Sequence, residues 1–80
     1  MRFWITYFHR QSGKFTNKIP LDGIPLSKLK ELFGIPPQNP MYDAYPINSS
    51  EKIHFFELFY GVEFNFQKYN YYVETFSESK

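Results

Sequence analysis

The chain has 80 residues, no cysteine, 18 aromatic residues and a formal net charge of +1 at pH 7. The length predicts one domain, residues 1–80, which buries only roughly 60% of its unfolded surface; the missing cysteines exclude disulfides and thiolate chemistry. The small charge argues against general nucleic-acid binding. Without a long apolar run or a signal peptide, we expect a cytoplasmic protein that does not contact membrane.

Residues 2–9 form the first predicted strand, and large side chains occupy both of its faces. Because successive strand residues point to opposite faces, Phe3 and Tyr7 share one face, whereas Trp4 and Phe8 share the other. One face can join the core, but 80 residues leave little chain to cover the second. Exposed aromatic patches on small proteins usually mark contact surfaces. This pattern favours a binding module over an enzyme.

A polar turn containing Gly13 leads to a second predicted strand, residues 15–19, and thus to a β-hairpin. Simple alternation places Phe15 and Ile19 on the same face of this strand. Pro20 ends the strand, because proline cannot donate a hydrogen bond to a central ladder.

Two short helices are predicted from apolar residues at helical spacing. The first begins at Pro25 and stops at Gly34, and the second stops at Gly61. The spacing of Asn48 and Glu51 resembles a capping box at the start of the second helix.

Three further extended segments are predicted at residues 44–47, 62–66 and 71–76. Strands at both ends of the chain, with helices set apart, predict an α+β fold. We expect a twisted antiparallel β-sheet of about four strands, with two short helices packed on one face. The opposite face of the sheet stays open.

No motif for catalysis or cofactor binding is present in the sequence. His9 and His54 lack metal-ligand spacing, and there is no nucleophile motif or phosphate-binding loop. We therefore expect no catalytic residue, no metal ion and no cofactor. Glu63 and Glu74 lie on predicted neighbouring strands, where they are either solvated charges on one face or contacts for a basic partner.

Charge is unevenly distributed along the chain. Residues 1–40 carry six Lys/Arg and two Asp/Glu, whereas residues 41–80 carry three Lys and six Asp/Glu. The second half could present an acidic surface to a basic partner. Folding could equally mix the two halves into an ordinary surface, and a weak homodimer also stays open.

Three segments resemble cloacin-type immunity proteins, which neutralise nuclease bacteriocins. They are Phe8 and Phe15 on either side of the first turn, the helix stop and loop LFGIPPQNPMYDAYPI, and the aromatic strand YNYYVETF. Their order and spacing match over most of the chain. The resemblance implies an antiparallel-sheet fold and stoichiometric inhibition of a cognate toxin nuclease, from either a bacteriocin or a contact-dependent inhibition system.

Carried over by position, the resemblance implies that Phe8, Phe15 and Tyr72 contact the toxin and that Ala44 occupies a specificity-setting position. Members of that family often have Phe in place of Tyr72, commonly have Cys in place of Ala44, and are strongly acidic. These departures concern the identity of the target. Separately from the resemblance, the net negative charge of residues 41–80 makes Asp43, Glu63 and Glu74 the expected contacts for a basic partner.

Alternation independently predicts that Trp4, Phe8, Tyr72 and Glu74 share the open sheet face. Rings surrounded by charge are typical of protein–protein hot spots, although they could also pack against one another and the loop at residues 35–43. The alternative function is a single-stranded RNA-binding aromatic sheet, because basic residues interleave with the rings. The RNP signature is absent, so nucleic acid is the less favoured partner.

Overall fold

The computed structural model describes residues 2–41 and 43–76, the last of these by its backbone alone. Over this range the chain forms four strands and two helices. The elements are β1 (Arg2–His9), β2 (Phe15–Pro20), α1 (Leu26–Phe33), β3 (Tyr45–Pro46), α2 (Ser50–Tyr60) and β4 (Tyr69–Phe76). The strands form one antiparallel sheet in the order β2-β1-β4-β3.

The core lies between the two helices and one face of this sheet. Ile5 of β1 and Val73 of β4 face each other across the central strand pair, and both are fully buried. Leu29 of α1 and Phe56 of α2 are also fully buried and complete the same apolar cluster. The predicted α+β fold, with helices on one sheet face, is therefore confirmed.

Both helices end at a glycine in the left-handed region, as their positions predict. Gly34 has φ 68° and Gly61 has φ 63°, and each backbone N–H closes the last turn of its helix. The cap of α2 is Ser49, which accepts a hydrogen bond from the Lys52 amide. The prediction that Asn48 caps this helix is wrong by one residue, because the extended backbone at Ser49 places its hydroxyl at the first turn.

The hairpin of β1 and β2 contains a bulge that reverses one prediction. Tyr7 pairs with Asn17, but the next residue, Phe8, pairs with Phe15. The residue of β2 between Phe15 and Asn17 therefore has no partner residue on β1. Directly opposed residues share a sheet face, so Phe15 joins the face of Phe8. The prediction that Phe15 shares a face with Ile19 is wrong, because the extra residue shifts the alternation.

The prediction of a strand at residues 62–66 is also wrong. This segment follows α2 as a loop, and its amides bond elsewhere: Val62 donates to the Phe56 carbonyl, and Asn65 donates to the Tyr71 hydroxyl. Its apolar residues do alternate in burial, and both of its phenylalanine rings pack against Tyr71. Alternation here reflects an extended loop lying on the helix side of the sheet.

Candidate functional site

The open face is the sheet surface opposite the helices, and it carries the even-numbered side chains of β1. Register pairs Trp4 with Glu74 and Thr6 with Tyr72, so these four side chains point the same way. Trp4, Phe8, Tyr72 and Glu74 are half-buried, whereas Thr6 is 1% exposed. The structure thus places the four predicted open-face residues together.

Three aromatic side chains, Phe8, Phe15 and Tyr72, form what we term the ring cluster. Phe8 lies at its centre, 5.6 Å from the ring of Phe15 and 5.9 Å from the ring of Tyr72 between centroids. Both contacts are edge-to-face, the arrangement that aromatic quadrupoles favour. Phe15 remains 54% exposed, so the cluster presents apolar surface to solvent.

Glu74 is held in place by a hydrogen bond from Thr6. The Thr6 hydroxyl donates to one Glu74 carboxylate oxygen over 2.6 Å. Because Thr6 is almost fully buried, its hydroxyl needs a protein acceptor. The contact therefore fixes the carboxylate on the open face, and the second oxygen retains its capacity to accept a hydrogen bond.

A depression of about 360 Å³, which we term the site depression, opens beside Glu74 and the ring cluster. Phe8, Ala44, Tyr72 and Glu74, four of the residues predicted to bind a partner, line this one depression. The remainder of its lining comes from His9, Arg10, Gly13 and Asn70.

Trp4 lies on the open face, but its ring already meets cations of the same chain. The Lys18 amino nitrogen is 4.4 Å from the ring centroid, and the guanidinium carbon of Arg2 is 4.8 Å from it. Arg2 also forms an ion pair of 2.6 Å with Asp22. These contacts distinguish Trp4 from the ring cluster, and its binding to a partner stays a prediction.

The other predicted acidic contacts do not line the site depression. Asp43 is exposed and precedes Ala44 in the chain. Glu63 is exposed in the loop after α2, so the prediction that it shares a strand face with Glu74 is wrong. A role for Asp43 or Glu63 in partner binding stays a prediction.

Folding brings the basic and acidic halves of the chain together on the open face. The order β2-β1-β4 places Arg2 and Lys18 from the first half beside Glu74 from the second. The open face is therefore mixed in charge. Of the two interpretations of the charge distribution, this arrangement favours mixing.

Sequence reasoning missed two features of the site. Thr6 as the anchor of Glu74 could have been suspected, since it is a polar residue between Trp4 and Phe8 on the same strand face. The position of Arg10 in the site depression could also have been suspected, because Arg10 continues the alternation of Trp4, Thr6 and Phe8 by two residues. Among the residues that the structure describes, no group of three His, Cys, Asp or Glu could hold a metal ion, and no helix is long and apolar enough to span a membrane.

Comparison with known proteins gives one match. The family model described as "Domain of unknown function (DUF7683)" matches residues 2–74, which includes every residue of the ring cluster and Glu74. No curated protein and no solved structure matches the chain. The resemblance to cloacin-type immunity proteins therefore stays a prediction.

Proposed function

Because the chain belongs to the DUF7683 family, whose description names no activity, we propose a function from the open face: the protein is an immunity protein that neutralises a cognate toxin nuclease. It acts by one-to-one protein binding, as an antitoxin for a bacteriocin or a contact-dependent inhibition toxin. It works in the cytoplasm and needs no cofactor or catalysis.

The observation that carries this proposal is the ring cluster beside the site depression. Hot spots of protein interfaces are enriched in aromatic anchors within desolvated pockets. Phe8 and Tyr72 are half-buried rings that line a concave surface, and Phe15 extends their apolar area into solvent. A protein partner would remove this area from water.

The nature of the partner is supported by the resemblance to immunity proteins. That resemblance implies toxin contact for Phe8, Phe15 and Tyr72 and a specificity role for Ala44. Three of these residues line the site depression, and the ring of Phe15 packs against Phe8. Residues chosen by sequence position thus meet at one surface of the fold.

A titration of nuclease activity tests the proposal. The partner is the nuclease domain encoded beside this gene, and the readout is RNA cleavage at increasing amounts of the protein. We expect activity to fall linearly and to vanish near one equivalent. Full protection far below one equivalent would indicate turnover, and no protection at large excess would contradict the assignment for that toxin.

Single-stranded RNA binding is the second candidate, and the cations on the open face favour it. Arg2 and Lys18 lie at the ring of Trp4, as a nucleic-acid surface requires. One feature weighs against it: Glu74 places a carboxylate beside Phe8 and Tyr72 at the site depression, where it would repel the phosphates of RNA.

Fluorescence anisotropy with a labelled mixed-sequence RNA oligonucleotide separates the two candidates. We expect no saturable binding at micromolar protein and physiological salt. Saturable binding that Phe8→Ala abolishes would favour the RNA-binding function over toxin inhibition.

A further inference from the structure

We propose that the site depression receives a basic side chain, arginine or lysine, of the partner protein. The inference rests on the proposed protein-binding function and adds the chemistry of the group that is bound. It is drawn from the carboxylate, the aromatic walls and the size of the depression.

The fixed carboxylate of Glu74 is the first support. One of its oxygens accepts the hydrogen bond from Thr6, so the side chain is held before a partner arrives. A charged acceptor that is already ordered loses less conformational entropy on binding. Its other oxygen can accept a charge-assisted hydrogen bond from an ammonium or guanidinium group.

The aromatic walls are the second support. Phe8 and Tyr72 line the depression together with Glu74, and aromatic faces attract cations within about 6 Å. The ring of Trp4, on the same open face, already makes such cation–π contacts with Lys18 and Arg2. In the part of the chain that the structure describes, no cation of the protein makes such a contact with Phe8 or Tyr72.

The size of the depression is the third support. Its volume of about 360 Å³ lies at the small end of the range for ligand pockets, roughly 300–1,000 Å³. One long side chain entering from a partner suits this volume better than a large ligand does.

Arg10 also lines the depression, but it lies towards the opposite end. The backbone amide of Arg10 donates a hydrogen bond to the carbonyl of Lys68. Lys68 precedes Glu74 by six residues, so the backbone of Arg10 lies near the other end of β4 from Glu74. The side chain of Arg10 is anchored by a hydrogen bond from Nε to the Phe66 carbonyl, over 2.9 Å.

Nuclear magnetic resonance with a minimal probe tests the inference. The labelled protein is titrated with Nα-acetyl-arginine methylamide, and in parallel with the citrulline analogue, which has nearly the same shape but no charge. We expect millimolar binding that shifts the amides of Ala44, Tyr72 and Glu74, with the citrulline analogue at least about fivefold weaker.

Glu74→Gln and Glu57→Gln are the matched variants, since each removes one carboxylate charge and Glu57 is exposed on α2, in the helix layer on the far side of the sheet. We expect Glu74→Gln to weaken binding of the arginine probe at least about fivefold and Glu57→Gln to leave it unchanged. Equal binding of the two probes, or an unchanged affinity in Glu74→Gln, would overturn the inference.

The toxin titration keeps this inference separate from the proposed function. If Glu74→Gln inhibits the nuclease as tightly as the natural protein does, the bound basic side chain is refuted, whereas the immunity function stands. If the natural protein binds the arginine probe but fails to inhibit the nuclease, the immunity function is refuted and the chemistry of the depression stands.

Discussion

Thr6 and Glu74 are 68 residues apart in the sequence, and a 2.6 Å hydrogen bond joins their side chains across β1 and β4. These strands are the two central strands of the sheet. The same contact therefore links the first and last strands of the fold and orients a carboxylate of the site depression. Changes at Thr6 should affect stability and binding together.

Thr6→Val should lower the free energy of unfolding by about 1 kcal/mol, because it keeps the shape of the side chain and removes the hydrogen bond. Thr6→Ser keeps the hydroxyl and serves as the control for the bond to Glu74. Urea denaturation of the three proteins measures the difference. Equal stability of Thr6→Val and the natural protein would show that this hydrogen bond makes no net contribution to the free energy of unfolding, because water replaces it at Glu74.

Phe8→Ala and Tyr72→Ala should each fold and weaken toxin binding by at least about 30-fold, since aromatic anchors typically contribute 2 kcal/mol or more. Phe59→Ala is the matched control, because Phe59 is 65% exposed on α2, in the helix layer on the far side of the sheet. Its affinity should change less than about threefold. Calorimetry gives the affinities, and circular dichroism reports the fold. Unfolding of both site variants would instead assign these rings to the core.

Association with the toxin should slow as ionic strength rises, because a basic partner is steered towards carboxylates. The sequence predicts contributions from Asp43, Glu63 and Glu74, and the structure places Glu74 at the site depression. We therefore expect the association rate to fall more in Glu74→Gln than in Glu63→Gln. Stopped-flow measurements at several salt concentrations test this, and a rate independent of salt would contradict steering.

Alkaline pH should destabilise the fold through Tyr71. Burial raises the pKa of the Tyr71 hydroxyl above its usual 10, although the Asn65 amide that donates to it acts in the opposite direction. A raised folded-state pKa gives stability that is complete below the unfolded value and is lost as pH rises through the folded one. Stability should thus be steady up to about pH 10 and fall above it.

Tyr71→Phe checks this assignment. The variant should lose about 1 kcal/mol at pH 7, because the Asn65 amide loses its acceptor, and its stability should then fall less steeply above pH 10. Urea denaturation from pH 7 to 11 gives both slopes. Identical slopes for the two proteins would assign the alkaline loss to other groups, among them Tyr60, whose pKa is also raised by burial.

The sequence predicts most of the fold because the signals are local. Alternation within β1 and the left-handed glycines Gly34 and Gly61 depend only on neighbouring residues. The bulge beside Phe15 has no such signal, since it depends on how two strands pair. At residues 62–66 a local signal is misleading. Apolar and polar residues alternate there as in a strand, but the segment is an extended loop that packs against the core.

The candidate site is predicted less completely, for the same reason. Alternation alone places Trp4, Phe8, Tyr72 and Glu74 on one face. That Ala44 lies beside them depends on the pairing of β3 with β4, which residue patterns do not reveal. The mixing of charge on the open face likewise depends on sheet order.

The position of β2 at the edge of the sheet bears on how so aromatic a chain avoids aggregation. Edge strands expose backbone groups that can pair with another molecule and seed fibres. β2 combines three features that discourage such pairing: the charge of Lys18, the missing N–H of Pro20 and the bulge beside Phe15. The protein can therefore expose aromatic rings on the open face of the sheet, while the edge formed by β2 resists pairing with further molecules.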